Sequence, residues 1–194
     1  MPPEVDSEAM KTDSPGRTVV LGLGNPVLCD DAVGLRVAAE LKQLLAERPI
    51  PGVDVLASTR AGFELLDLLR GYAAAVIVDA LELPDAAAGR VRRLGPDDVA
   101  GSARLTNQHE LGLAAVFAFA ERLGISMPAE VRIVAIETTD ARIMAEELTP
   151  AVAAIVTPLA RELHAELAAA APAEDPPDNE DFSNRRAFYD PDGG

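Results

Sequence analysis

Apolar positions along the chain alternate between short continuous runs and longer stretches with helical spacing. Thr18 to Leu23 is a strand-like run that breaks into the Gly-rich loop Gly22-Leu23-Gly24-Asn25-Pro26. Asp30 or Asp31 then supplies the start signal of a helix reaching about Glu47, with Val33, Val37, Leu41, Leu44 and Leu45 on one face. Pro49 and Pro51 end it. Val53 to Ala57 reads as a second strand, Phe63 to Leu69 as a second helix, and Ala73 to Val78 as a third strand ending in Asp79. That third run is apolar at every position, the mark of a central strand covered on both faces.

Beyond a loop at Pro84 to Gly89, Arg90 to Leu94 is a short strand whose Arg side chains place it at a sheet edge with one wet face. A polar stretch leads to His109, Glu110 to Leu123 forms a helix closed by Gly124, and Val131 to Ile136 is a further strand ending at Glu137. Thr149-Pro150 opens a last helix running to about Ala170, with proline at the first turn. Strands alternating with helices give an α/β sandwich with a largely parallel sheet, although the strand order is not legible.

Residues 1–16 mix Pro, Glu, Asp, Ser and Lys without periodicity and read as a disordered leader; 171–194 is Pro-, Asp- and Asn-rich and reads as a loose acidic tail. One domain, 17–170, lies between them. The net charge of −15 repels a phosphate backbone, so nucleic acid is excluded as a partner. A single Cys29, no long apolar segment and no signal pattern at the N-terminus give the expectation of a cytoplasmic protein without a membrane partner.

Chemistry is expected where parallel strands end, because ligands of open α/β sheets bind outside the strands' carboxyl ends. Asp31, after the first strand, and Asp79, after the third, therefore belong to one rim, and a crossover helix beginning behind His109 returns that imidazole to the same place. Two carboxylates and one imidazole suit a borderline divalent ion such as nickel or zinc and leave positions open for water or substrate. Each residue alone has a plainer reading: Asp31 as a helix-dipole partner, His109 as a helix-start residue. Cys29 reads as a small, partly buried thiol rather than a nucleophile, and His164 as a surface residue of the last helix. Glu137 lines the rim or starts a turn. Gly22-x-Gly24 lacks the third glycine of a dinucleotide fingerprint and the lysine of a P-loop.

The run Gly22-Leu23-Gly24-Asn25-Pro26-Val27-Leu28-Cys29-Asp30-Asp31-Ala32-Val33-Gly34, followed by Val76-Ile77-Val78-Asp79-Ala80 and His109-Glu110-Leu111-Gly112-Leu113, resembles the hydrogenase maturation proteases. The resemblance spans about Arg17 to Leu167. It implies a nickel-dependent endopeptidase that removes a C-terminal extension from the large-subunit precursor of a nickel-iron hydrogenase. It also implies a three-layer α/β/α sandwich around a five-stranded sheet of the phosphorylase/hydrolase-like type. Its metal ligands fall on Asp31, Asp79 and His109, with nickel brought by the substrate. Apart from the resemblance, Gly24 and Asn25 in the first loop and Arg60 and Gly62 in the loop after the second strand are the candidates for substrate contact, a solvated side chain being the plainer reading of Arg60. Family members often carry Glu at the position of Asp31 and Gly at that of Ala32. Two rivals remain: a metal-sensing assembly factor that holds the same subunit without cutting, and a peptidyl-tRNA hydrolase. The latter shares the Gly-Leu-Gly-Asn-Pro loop, but follows it with a catalytic His, whereas Asp30 to Arg36 contains none.

Overall fold

The computed structural model describes residues 16–60, 62–82, 85–95, 98, 113–139 and 143–171. His109, the start of the helix at 110–112, residues 1–15 of the leader and residues 172–194 of the tail lie outside them.

The strands are β1 (Thr18–Leu23), β2 (Val53–Ser58), β3 (Ala74–Glu82), β4 (Val91–Leu94) and β5 (Glu130–Thr138). They form one five-stranded sheet in the order β2-β1-β3-β5-β4. β2, β1, β3 and β5 run parallel, and only the edge strand β4 is antiparallel. The helices are α1 (Val33–Glu47), α2 (Leu65–Leu69), α3 (Leu113–Leu123) and α4 (Pro150–Ala170). Side chains alternate across a strand, so successive residues of β1 and β3 feed two separate cores. Val20, Val76, Val78, Val134 and Ile136 pack with Val33, Val37 and Leu41 of α1 and Leu159 and Leu163 of α4. Val19, Leu21, Ile77, Ile133 and Ala135 pack with Leu65 and Leu69 of α2 and Val116 and Ala120 of α3. The three-layer sandwich with a largely parallel sheet is the expected one. Among the described residues no helix is long and apolar enough to cross a membrane.

Three local expectations need correction. β3 does not stop at Val78: its pairing with β5 carries it to Glu82, opposite Thr138. Asp79 therefore sits inside a strand. It still marks the rim, because pairing with β1 ends at Gly22 opposite Val78, and Asp79 is the first residue of β3 to outrun that neighbour. Second, neither Asp30 nor Asp31 caps α1. Both lie in a 3-10 turn, Asp30–Ala32, with no side-chain capping bond, because each carboxylate is engaged elsewhere. Third, His164 is buried rather than on the surface. Its Nε2 lies 2.8 Å from the carbonyl of Arg48, which only accepts, so the ring donates there and satisfies the residue that ends α1.

Candidate active site

Glycines bring the rim together. Gly34, in the first turn of α1, lies against both parallel strands: a Cβ there would collide with the carbonyl oxygens of Leu23 and Val78. Gly22 in β1 meets the Gly34 carbonyl just as closely from the other side. With no side chain at either position, the start of α1 settles directly onto the ends of β1 and β3. Asp31, three residues before Gly34, is thereby carried to Asp79, one residue after Val78.

The loop between β1 and the 3-10 turn is folded to suit. Gly24 adopts φ of 151°, and a Cβ on it would strike the Asp31 carbonyl. Asn25 donates its backbone N–H to Asp31 Oδ2 at 2.8 Å, while its side-chain Oδ1 accepts from the Val27 N–H at 3.1 Å in an Asx turn. One oxygen of Asp31 is thus oriented by the backbone. Gly24 and Asn25, expected to touch substrate, are seen shaping the loop that holds this carboxylate.

Asp79 Oδ1 accepts from the N–H of Ala80 at 2.8 Å. Its carboxyl pKa is pushed up to about 7, first by burial and then by the negative charge of Asp31, against the lowering effect of the Ala80 N–H. Asp31 and Asp79 are therefore near enough to feel each other's charge. A pair of carboxylates under mutual repulsion at a rim is a fitting donor set for a divalent cation, which removes that repulsion on binding. His109, the expected third ligand, lies outside the described residues. Among the described residues no group of three or more His, Cys, Asp or Glu side chains forms a complete metal cluster.

The other candidates separate cleanly. Arg60 is exposed, and its N–H donates to Ser58 Oγ at 3.0 Å. Because Ser58 pairs with Leu23, Arg60 leaves the sheet at the same rim as the Asn25 loop. Gly62, with φ of 58°, opens a 3-10 turn leading into α2. Cys29 is buried, its thiol donates to the Glu147 carbonyl at 3.3 Å, and its pKa is raised by burial and by Asp30, so it is no thiolate nucleophile.

Two buried acids are structural, and the sequence pattern did not separate them from the site. Asp30 is fully buried and accepts from the N–H and hydroxyl of Thr149, at 2.7 and 2.9 Å, joining the 3-10 turn to the start of α4. Glu137 is fully buried in β5 and accepts from the Ala87 N–H at 2.7 Å and from Arg92 Nε, with Arg90 also nearby. Burial pushes its pKa up, yet these donors outweigh burial and hold it below the usual value. The Glu137 carboxylate thus anchors the loop before β4, and does not serve the Asp31 site. For Asp30 no sequence signal distinguishes it from its neighbour; for Glu137 the clue is the Arg90 and Arg92 pattern opposite it on the edge strand.

Comparison with known proteins finds relatives of the chain as a whole. The family model described as hydrogenase maturation protease matches residues 35–166. The hydrogenase 2 maturation protease of Escherichia coli (strain K12) is 32% identical over 157 residues, covering 78% of this chain and 90% of that protein. Among solved structures, the hydrogenase maturating endopeptidase HybD from E. coli superposes with a TM-score of 0.65 at 29% identity, covering 79% of this chain and 93% of that one. The [NiFe] hydrogenase maturation protease HycI from Thermococcus kodakarensis KOD1 does so with a TM-score of 0.58 at 25% identity, covering 79% and 92%.

Proposed function

The chain belongs to the hydrogenase maturation protease family, and from that premise we propose that it hydrolyses one peptide bond near the C-terminus of a nickel-loaded hydrogenase large-subunit precursor. The observation that carries this reading is the convergence of Asp31 and Asp79 at the rim where β1 and β3 end. Both family relatives and solved neighbours are named as maturation proteases or endopeptidases, which supports peptide hydrolysis as the reaction.

In this reading Asp31 and Asp79, with His109, take hold of nickel that the precursor presents. The ion supplies Lewis-acid polarisation of the scissile carbonyl. The chain's own residues do the rest. Asn25 fixes the orientation of Asp31 through its backbone N–H, so that carboxylate meets the ion without reorganising. Asp31 and Asp79 are also the proton-transfer groups of the site. A donor set of oxygens and one imidazole, without thiolate, binds a borderline ion weakly enough to release it after the cut. Arg60, leaving the sheet at the same rim as the Asn25 loop, grips the precursor, with Gly62 giving its loop the turn it needs.

The intact mass of the cognate precursor after incubation with this protein tests the reading. Loss of a short C-terminal peptide from the nickel-loaded form alone supports a metal-gated endopeptidase. Unchanged mass with a complex still forming identifies a holding factor instead. Arg60→Ala is expected to weaken precursor affinity; unaltered affinity removes Arg60 from substrate contact.

A further inference from the structure

β1 lies along β2 from Val53 to Ser58, and among the described residues no strand lies on the other side of β2. Which backbone groups face that open edge follows from one hydrogen bond. Thr18 pairs with Val53, and the N–H of Thr18 donates to the carbonyl of Gly52 at 2.9 Å. In a parallel ladder each residue turns its N–H and C=O to one neighbour, and the next residue turns both the other way. Gly52 faces β1, and with it Asp54, Leu56 and Ser58. Val53, Val55 and Ala57 therefore point their backbone groups away from the sheet. The N–H of Val53 is taken by the Ile50 carbonyl at 3.3 Å, which leaves the N–H groups of Val55 and Ala57 and the three carbonyls facing outward. Folds usually blunt such an edge with a short strand, charges, proline or a bulge. The opposite edge, β4, is four residues long and carries Arg92 and Arg93. β2 has none of these devices. It runs six residues in unbroken register without proline, and its one charged side chain, Asp54, is held by Arg17 and by the Tyr72 hydroxyl.

We propose that the open edge of β2 takes an extended segment of the precursor polypeptide, close to the bond to be cut, as a sixth strand of the sheet. The proposal rests on the reading given under Proposed function. The position of the edge favours this occupant. β2 ends at the rim, with Ser58 beside Leu23 and hence beside the loop whose Asn25 orients Asp31. An added strand lies three strand spacings from β3, about 14 Å, and about four or five residues of extended chain cross that distance to Asp79. Pairing through the main chain holds a substrate extended, the form in which a peptide bond is presented for hydrolysis. Other occupants fit less well. Two copies joined edge to edge bring together chains of net charge −15, which repel each other. The leader, with Pro2, Pro3 and Pro15 among its acids, has the composition of a poor strand former.

The test uses the full chain and the nickel-loaded precursor. Ala57 is exposed, and Ala57→Pro removes its outward N–H while leaving the bonds of β2 to β1 in place. The variant is expected to unfold close to the wild-type temperature and to raise KM for release of the C-terminal extension about fivefold or more, with a smaller effect on kcat. Amide hydrogen exchange in the wild type gives a readout that needs no variant to fold: at Val55 and Ala57 it is fast in the free chain and slows about tenfold or more when the precursor is added. Unchanged KM in a folded Ala57→Pro overturns the proposal, and so does exchange that the precursor leaves unaltered while cleavage proceeds. Slow exchange in the free chain also overturns it. If that protection is lost on dilution the edge belongs to a second copy, and if it persists the chain covers its own edge. A wild type that neither binds nor cuts the precursor overturns the functional reading and the strand addition together.

Discussion

The Gly34 Cα lies so close to the carbonyl of Val78 that a side chain on Gly34 would collide with that oxygen. This contact sets the spacing between the two candidate acids, since Asp31 precedes Gly34 by one helical turn and Asp79 follows Val78 directly. Gly34→Ala must therefore push α1 away from the ends of β1 and β3. Overpacking of this kind costs about 1–3 kcal/mol. The expected result is a lower unfolding temperature together with loss of cleavage, and a calorimetric scan matching wild type refutes the packing argument.

How much of this was legible in the sequence follows from which forces are local. Apolar periodicity located the strands, the helices and the edge position of β4, because burial on one or two faces writes itself into the order of residues. The length of β3 escaped that reading. Ala80 to Glu82 are strand only because β5 lies alongside as far as Thr138, a partner remote in sequence. Asp30 and Asp31 are chemically identical neighbours, and only the arrival of Thr149, 119 residues beyond Asp30, assigns one of them to the core. His164 misled for the same reason: its partner, the Arg48 carbonyl, belongs to a different helix.

Glu137 makes stability depend on pH. Its carboxyl titrates below the usual value of 4.5 in the folded chain, so the unfolded state binds more protons in that window. The contribution is complete above about pH 4.5 and disappears as pH falls through the folded pKa. Glu137→Gln is expected to lower stability at pH 7 by about 1–3 kcal/mol, discounted for Arg92 being partly solvated. The difference from wild type should shrink on acidification below that window. Denaturant midpoints measured between pH 3 and pH 7 check it; a constant difference contradicts the depressed pKa.

His164→Phe puts a somewhat larger, apolar ring in the same place and removes the N–H that serves the Arg48 carbonyl. Arg48 itself is exposed, so water can replace part of the lost contact, and the cost is that of an ordinary hydrogen bond, about 0.5–1.5 kcal/mol, which in a chain of this size lowers the unfolding temperature by about 1–6 °C. Catalysis is expected to survive, because α4 meets the site only at its other end, through Thr149. Unchanged thermal stability in the variant is the contrary result.

Asp30 and Asp31 give the sharpest contrast, since the same substitution on adjacent residues should have opposite consequences. In Asp30→Ala the N–H and hydroxyl of half-buried Thr149 lose their fully buried acceptor, and the 3-10 turn loses its tie to α4. Unsatisfied buried groups cost about 1–3 kcal/mol each, so the variant should unfold several degrees early. Asp31→Ala removes the acceptor of the Asn25 N–H at a partly exposed rim, where a solvated N–H has water to turn to, and it also relieves the repulsion on Asp79. Its unfolding temperature should stay close to wild type, while divalent metal affinity and precursor cleavage fall by about 100-fold or more, as expected when a ligand is lost. Asp79→Ala should match Asp31→Ala in cleavage and still dock the precursor. Calorimetric titration with nickel beside thermal unfolding of all three variants decides the matter. If Asp31→Ala binds metal as wild type does, the carboxylate pair at the rim is not the metal site.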